Sequence, residues 1–374
     1  MAKPGGDGND LSKLSVPELE RTYIESVRAA EATGHIGKKN RLARQQSKIM
    51  QELKARGEDR SVFQRLAGHS DENVSRWAAS YLDWLDEPHP EAASRQPLRP
   101  EILWQCDNPP PAALTRDQIA DRLRRGMPEF SGRLMDLALP AVGLWPQRRA
   151  DIAATASRFG GWPLADPDWR WPSFEDEPLL FVGQINCAEF HGLPGTELLP
   201  PSGLLVFFGD YDALNGCEPF GPTGLHFWPD VDRLAAAKAR IDPLEVLPSC
   251  ALVPRPIIDF PHPDSHAVGK LKFNQQQRSS YFDAWLEVRD HGIPPACANY
   301  VGFSKLFGWP HQVQSDLWAF QSDDSARLLL QVDHYCNGED RHYWGPGGSL
   351  YYLLSERDLR ADRYEACEFE GQFT

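Results

Sequence analysis

The sequence predicts an α+β protein, with a small all-α domain at the N-terminus and a β-rich, internally duplicated body. Three observations predict it. Before position 88, apolar residues recur at three- and four-residue steps, the helical period. Beyond position 139 the texture changes to short apolar runs separated by Pro/Gly turns, which read as strands. The body also repeats itself. Arg158-Phe159-Gly160-Gly161-Trp162-Pro163, Leu180-Phe181-Val182-Gly183-Gln184-Ile185-Asn186 and Gly203-Leu204-Leu205-Val206-Phe207-Phe208 are answered in the same order. The answering blocks are Leu306-Phe307-Gly308-Trp309-Pro310, Leu328-Leu329-Leu330-Gln331-Val332-Asp333 and Gly348-Ser349-Leu350-Tyr351-Tyr352-Leu353-Leu354. Trp162 to Trp309 and Gln184 to Gln331 are both 147 positions apart, and Leu204 to Leu350 is 146. Such self-similarity implies a quasi-two-fold architecture.

Along the chain, residues 1–12 read as a flexible tail and 13–88 as a helical domain. Ser15-Val16-Pro17-Glu18 is a capping-box start, followed by Leu19, Tyr23 and Val27 on one face. Leu42, Ile49, Met50 and Leu53 form a second stripe, stopped by Gly57. Val74, Trp77, Ala78, Tyr81, Leu82 and Leu85 form a third. The phrase from His69 to Ala79 resembles a HEAT-type helical repeat. Residues 89–113 carry six prolines, from Pro90 to Pro111, and with Pro88 just before them read as a linker. Residues 114–374 form the body. Leu114 to Leu139 reads as one or two helices. Strands are expected at 140–145, 179–186, 203–208, 225–228, 250–260, 327–333 and 349–354, with helices near 230–241 and at 276–291.

Bulk properties exclude several classes. With 41% hydrophobic and 25% charged residues, the chain has ordinary globular composition. It lacks the roughly 20-residue apolar run of a membrane span, and its start has no signal-peptide core. Seven scattered cysteines without a Cys-x-x-Cys pair suggest reduced thiols and a cytoplasmic location. Residues 1–90 hold 14 charges of each sign, so the whole net charge of −14 falls on the remainder. An acidic body disfavours nucleic acid and is compatible with a basic protein partner.

The repeated blocks, with Trp344-Gly345-Pro346-Gly347-Gly348-Ser349-Leu350-Tyr351-Tyr352 near the end, resemble the bacterial YwqG-like family over roughly residues 140–374. Ser304 stands near a place where that family often has a histidine. The resemblance implies no catalytic set. It does imply proximity to secreted-toxin systems, and hence an immunity role.

Candidate sites follow from the repeat. Gln184 and Asn186, and the matched Gln331 and Asp333, lie two apart on strands and so share a face. Their amides either tie strand ends to neighbouring loops or line a polar ligand pocket at the symmetry seam. Trp162 and Trp309 follow glycines at matched corners. Lys38, Lys39, Arg41, Arg44 and Lys48 form a solvated helix face or grip an acidic surface. His262 and His266 are four apart, but Pro261 and Pro263 argue against a helix there, and no third ligand is evident. Neither a metal nor a cofactor is expected. Asp333-His334-Tyr335-Cys336 with His342 lacks an ordered base and oxyanion donor. The function expected is that of a non-enzymatic protein-binding module, an immunity factor or adaptor, with a small-ligand binder or enzyme as the alternative. If there is a site, it should lie where the two halves differ.

Overall fold

A computed structural model describes residues 11–32, 36–86, 109–147, 149, 151–174, 177–209, 223–237, 246–247, 249–291, 304–314, 316–317, 320, 325–333 and 348–372. The chain divides into two compact units, Met1–Leu98 and Arg99–Thr374.

The first unit is helical: α1 (Val16–Ala32), α2 (Ile36–Ala55), α3 (Asp59–Ala67) and α4 (Glu72–Asp86). The Glu18 carboxylate accepts from both the backbone N–H and the hydroxyl of Ser15, at 2.8 and 2.6 Å, and so fixes the start of α1. Gly57, at φ +71°, turns the chain out of α2. Leu19, Tyr23, Val27, Ile49, Leu53, Phe63, Val74 and Ala78 close one core. Residues 11 and 12 fall within the expected tail and belong to a short 3-10 turn, Leu11–Lys13. Leu11 packs on this core, and Arg56 donates to the carbonyls of Leu11 and Leu14 at 3.1 and 2.6 Å. Trp77 departs from its expected stripe: it is 49% exposed, and its indole N–H donates to Glu31 at 3.3 Å. The linker expected at 89–113 falls mostly outside the described residues.

The second unit opens with α5 (Arg116–Gly126) and α6 (Ser131–Asp136). Its strands are β1 (Leu139–Gln147), β2 (Arg158–Phe159), β3 (Leu164–Ala165), β4 (Ser173–Phe174), β5 (Glu177–Pro178), β6 (Leu180–Asn186) and β7 (Leu204–Gly209). These are followed by β8 (Thr223–Trp228), β9 (Ala235–Ala236), β10 (Cys250–Asp259), β11 (Lys305–Leu306), β12 (Ala326–Val332), β13 (Ser349–Ser355) and β14 (Glu368–Gln372). Helices α7 (His266–Gly269) and α8 (Gln275–Arg289) precede β11, and α9 (Glu356–Arg360) follows β13. The helix expected near 230–241 is absent up to Ala237. Asp230 caps a single 3-10 turn, Val231–Arg233, and Ala235–Ala236 then pairs with β3.

Ten strands form one antiparallel sheet in the order β14-β13-β12-β11-β1-β10-β2-β6-β7-β8. The duplication is visible as symmetry about the central β1–β10 pair. Lys305 pairs with Gly143 of β1, and Arg158, 147 positions earlier, pairs with Ala251 of β10. Even the irregularities match. A register shift lies between Phe181 and Gly183 in one half and between Leu328 and Leu330 in the other. The third repeat block has a different offset from the sequence expectation. Ile185 pairs with Leu205, and Val332 with Leu350, so Leu205 rather than Leu204 matches Leu350. The register matters because a one-residue slip would move every side chain to the other face. In the true register Phe207 matches Tyr352. Their rings meet at 5.0 Å, and the Tyr352 hydroxyl donates to the Phe208 carbonyl. The sheet therefore curls around one core that takes equivalent residues from both halves: Phe159 and Leu306, Val182 and Leu329, Leu205 and Leu350.

Candidate functional site: the buried charges of the second half

The two halves share a corner motif. Gly160 and Gly161 have φ of +63° and +75°, and Phe307 and Gly308 have +59° and +73°. Glycine takes this left-handed backbone freely, whereas Phe307 takes it at a cost of about 1–2 kcal/mol. Each turn places a Trp-Pro corner and a loop beside the strand glutamine. Gln184 accepts from the Leu164 N–H at 3.4 Å, and Gln331 accepts from the His311 N–H at 2.9 Å. The neighbouring seryl hydroxyls are equivalent too: the Asn186 N–H donates to Ser157 at 2.9 Å and the Asp333 N–H to Ser304 at 3.0 Å. The hydrogen-bonding capacity of the glutamines goes largely to loops, since Gln184 also donates to Ala154 and Ala156 at 2.8 and 2.9 Å. Asn186 donates to Thr155 at 3.0 Å, and Asp333 accepts from Ser349 at 2.6 Å. Trp162 is half-buried against Trp171. Trp309 donates to the Leu137 carbonyl at 2.7 Å and borders a cavity of about 290 Å³ with His266, Lys270 and Asp316.

On this common frame the side chains diverge. In the first half Arg158 donates to the carbonyls of Ala154 and Trp162, at 2.6 and 2.5 Å, and Leu164 is apolar and buried. In the second half the same two positions are Lys305 and His311, and Asp259 at the end of β10 joins them. Lys305 Nζ lies 2.6 Å from Asp259 Oδ2, and His311 Nε2 lies 2.9 Å from Oδ1. The Trp309 N–H donates to the same Oδ2 at 2.8 Å. Lys305 is 1% exposed and Asp259 is 5% exposed.

Electrostatics assign the protons. Burial alone would raise the Asp259 pKa, but the Lys305 and His311 charges and bonds overcome it and hold the carboxyl below its usual range. Burial, then the Lys305 charge, push His311 down against the pull of Asp259. Burial also pulls the Lys305 ammonium down, with Asp259 opposing. Near neutral pH the carboxylate is thus ionised and the imidazole neutral, so Nε2 carries the hydrogen shared with Asp259. The loop carrying His311 is pinned on several sides. Its carbonyl accepts from the Tyr351 hydroxyl at 2.7 Å, and the Val313 and Gln314 N–H groups donate to Gln372 at 2.8 and 3.0 Å.

These three groups line a cavity of about 60 Å³. Its other walls include Leu114, Ile119, Ile257 and Trp285, with Arg255 and Arg289 beside them. Arg289 lies over the Trp285 ring at 4.6 Å and pairs with Asp290 at 2.6 Å. Arg255 donates to the carbonyls of Pro111 and His291, at 2.7 and 2.8 Å. An apolar pocket with a few convergent polar groups of shifted pKa has the character of a ligand site.

Residues 157–372 match the family described as "Domain of unknown function (DUF1963)". The chain belongs to that family. YwqG is a member of it, so the resemblance read from the repeated blocks lies within the DUF1963 family. The match begins at the Ser157 corner and ends at Gln372, and it takes in both corner motifs. No curated protein matches the chain.

Asp259, Lys305 and His311 were not among the residues singled out from sequence. The available signal was a charge at matched places, in Ser157-Arg158-Phe159 and Ser304-Lys305-Leu306. Among the described residues there is no cluster of His, Cys, Asp and Glu that could hold a metal ion, and no helix is long and apolar enough to cross a membrane. Half-buried His262 packs against Trp285 at 4.9 Å, while His266 is exposed. Lys48 is exposed; the side chains of Lys38, Lys39, Arg41 and Arg44 lie outside the described residues, as do His334, Cys336 and His342.

Proposed function

We propose that the duplicated body is a binding module for a small organic acid, held in the cavity beside Asp259, Lys305 and His311. One observation carries the reading. The first half builds the same corner with Arg158 on backbone carbonyls and Leu164 in the core, so the fold does not require a buried acid–lysine–histidine cluster. Burying such charges is costly, and a cost the fold can avoid points to a function. Arg255, held on backbone carbonyls, supplies counter-charge for an acid, and the apolar wall suits a short carbon chain. A cavity of about 60 Å³ holds a molecule of about five heavy atoms, at roughly 10–15 Å³ for each water-sized group.

Thermal-shift and calorimetric titration with acetate, glyoxylate and inorganic phosphate tests this. A carboxylate at 100 times its Kd should add about 2.7 kcal/mol of stability, and Lys305→Met should abolish that gain. If no anion shifts the melting temperature at millimolar concentration, the reading fails.

A protein partner for the helical unit is a second reading, favoured by the exposed indole of Trp77, since Trp is enriched at binding hot spots. An adaptor or immunity role would belong there. Unchanged partner capture by Trp77→Ala in a pull-down from native cells would count against it.

A further inference from the structure

We propose that Lys305 Nζ is a nucleophile that captures a small aldehyde or keto acid as a Schiff base within this cavity. The inference rests on the small-acid reading and adds a carbonyl group to the ligand.

An ammonium has three donors. Among the described residues Asp259 is the acceptor for one of them, at 2.6 Å, and Lys305 lines the cavity. Lys305 is buried beside apolar walls, which raises the share of neutral amine. Arg255 lines the same cavity and can hold the carboxylate of a keto acid while the acid's carbonyl meets Nζ.

The step balances without a further reagent. The ammonium passes a proton to Asp259, and the nitrogen lone pair forms a C–N bond to the carbonyl carbon. The C=O π pair moves to oxygen. That oxygen takes up protons, including the one held by Asp259, and leaves as water while the C=N bond forms. Ammonium plus carbonyl becomes iminium plus water, with the positive charge conserved. Asp259 therefore pairs with the cation before and after. His311, on the other carboxylate oxygen, is a positioning residue, because it fixes the carboxylate that meets Nζ.

The test uses the full chain with glyoxylate and sodium cyanoborohydride, which reduces an iminium to a stable amine. Intact-mass and peptide mass spectrometry locate the product. The expected result is one adduct at Lys305, formed at least about tenfold faster than at exposed Lys270 and Lys272. Asp259→Asn should slow it about a hundredfold, and Lys305→Arg should remove it. Acetate, which has the charge but no aldehyde or keto group, should protect Lys305 in the wild-type protein, a readout independent of whether the variants fold. Adducts confined to exposed lysines, or labelling of Lys305 at their rate without acetate protection, would overturn the proposal. If acetate binds and Lys305 is never trapped, the Schiff base fails and the small-acid reading stands. If neither occurs, both fail.

Discussion

The two corners of the body carry different chemistry on matching backbone. Each has a strand glutamine, a seryl hydroxyl, two consecutive left-handed residues and a Trp-Pro turn. One corner fills its centre with Arg158 on carbonyls and a buried leucine. The other places Lys305, His311 and Asp259 there. Each half serves as an internal control for the other: what recurs is needed by the fold, and what differs is open to function.

The largest effect should come from Asp259→Ala, which removes the carboxylate from buried Lys305. Urea unfolding should show a loss of about 3–5 kcal/mol, whereas the double variant Asp259→Leu with Lys305→Met should recover most of it. A single-variant loss below about 1 kcal/mol would mean that the charges are solvated, and the contrast between the corners would collapse.

The glutamines come next. Gln184→Leu and Gln331→Leu should each cost about 2–3 kcal/mol, because each leaves loop groups unsatisfied. Only Gln331→Leu should also weaken acid binding, since it seats His311. Equal weakening by both would break the comparison.

pH tests the histidines around the cavity. Burial pushes His262 down to about 4, with the charges of His311, Arg289 and Lys305 adding to the shift and Asp264 opposing it. A folded pKa below the unfolded one means that the unfolded chain binds the extra proton. Stability from this source is full above about pH 6.5 and is lost as pH falls towards 4. The loss between pH 6.5 and 5 should be on the order of 2 kcal/mol at 1.36 kcal/mol per pKa unit, and His262→Gln should flatten it. Lowered His311 contributes in the same direction. A profile unchanged by His262→Gln would show that this ring titrates normally.

The smallest effect is a difference. Gly161→Ala and Gly308→Ala both force alanine into the left-handed region, at about 1–2 kcal/mol each. A methyl at Gly161 would lie 3.2 Å from the Ser249 hydroxyl, while one at Gly308 would overlap Asp259 Oδ2 and sit 2.8 Å from the Ala141 Cβ. Gly308→Ala should therefore be the worse by about 1–3 kcal/mol, and it alone should disturb acid binding. Equal melting temperatures would argue that the carboxylate is not held against the turn.

Much of the fold was legible because it is written in period and repetition. The strand runs over 140–145, 179–186, 250–260 and 327–333 and the helix at 276–291 are clear in the sequence because apolar alternation and stripes are local signals. Three things were less legible. The offset of the third block depended on pairing register, which a Leu-to-Leu match cannot reveal when Leu204 and Leu205 are adjacent. The helix expected near 230–241 had a local pattern, but pairing of Ala235–Ala236 with β3 is a tertiary contact. The charged cluster joins residues 46 and 52 positions apart, and nothing local marks Asp259 as their partner. The repeat did indicate where to look, because it made the replacement of Leu164 by His311 countable.

The order of strands at the centre of the sheet has a consequence for how the molecule is made. β1 precedes the first repeat but pairs with β11 of the second, while β10 precedes the second and pairs with β2 of the first. Each repeat thus lends its leading strand to the other, as two chains do when they swap an element. Neither repeat can complete its own sheet. A ribosome that has synthesised only the first has produced a segment whose leading strand must wait for partners over 100 residues downstream. Assembly of this body should be late, slow and all-or-none.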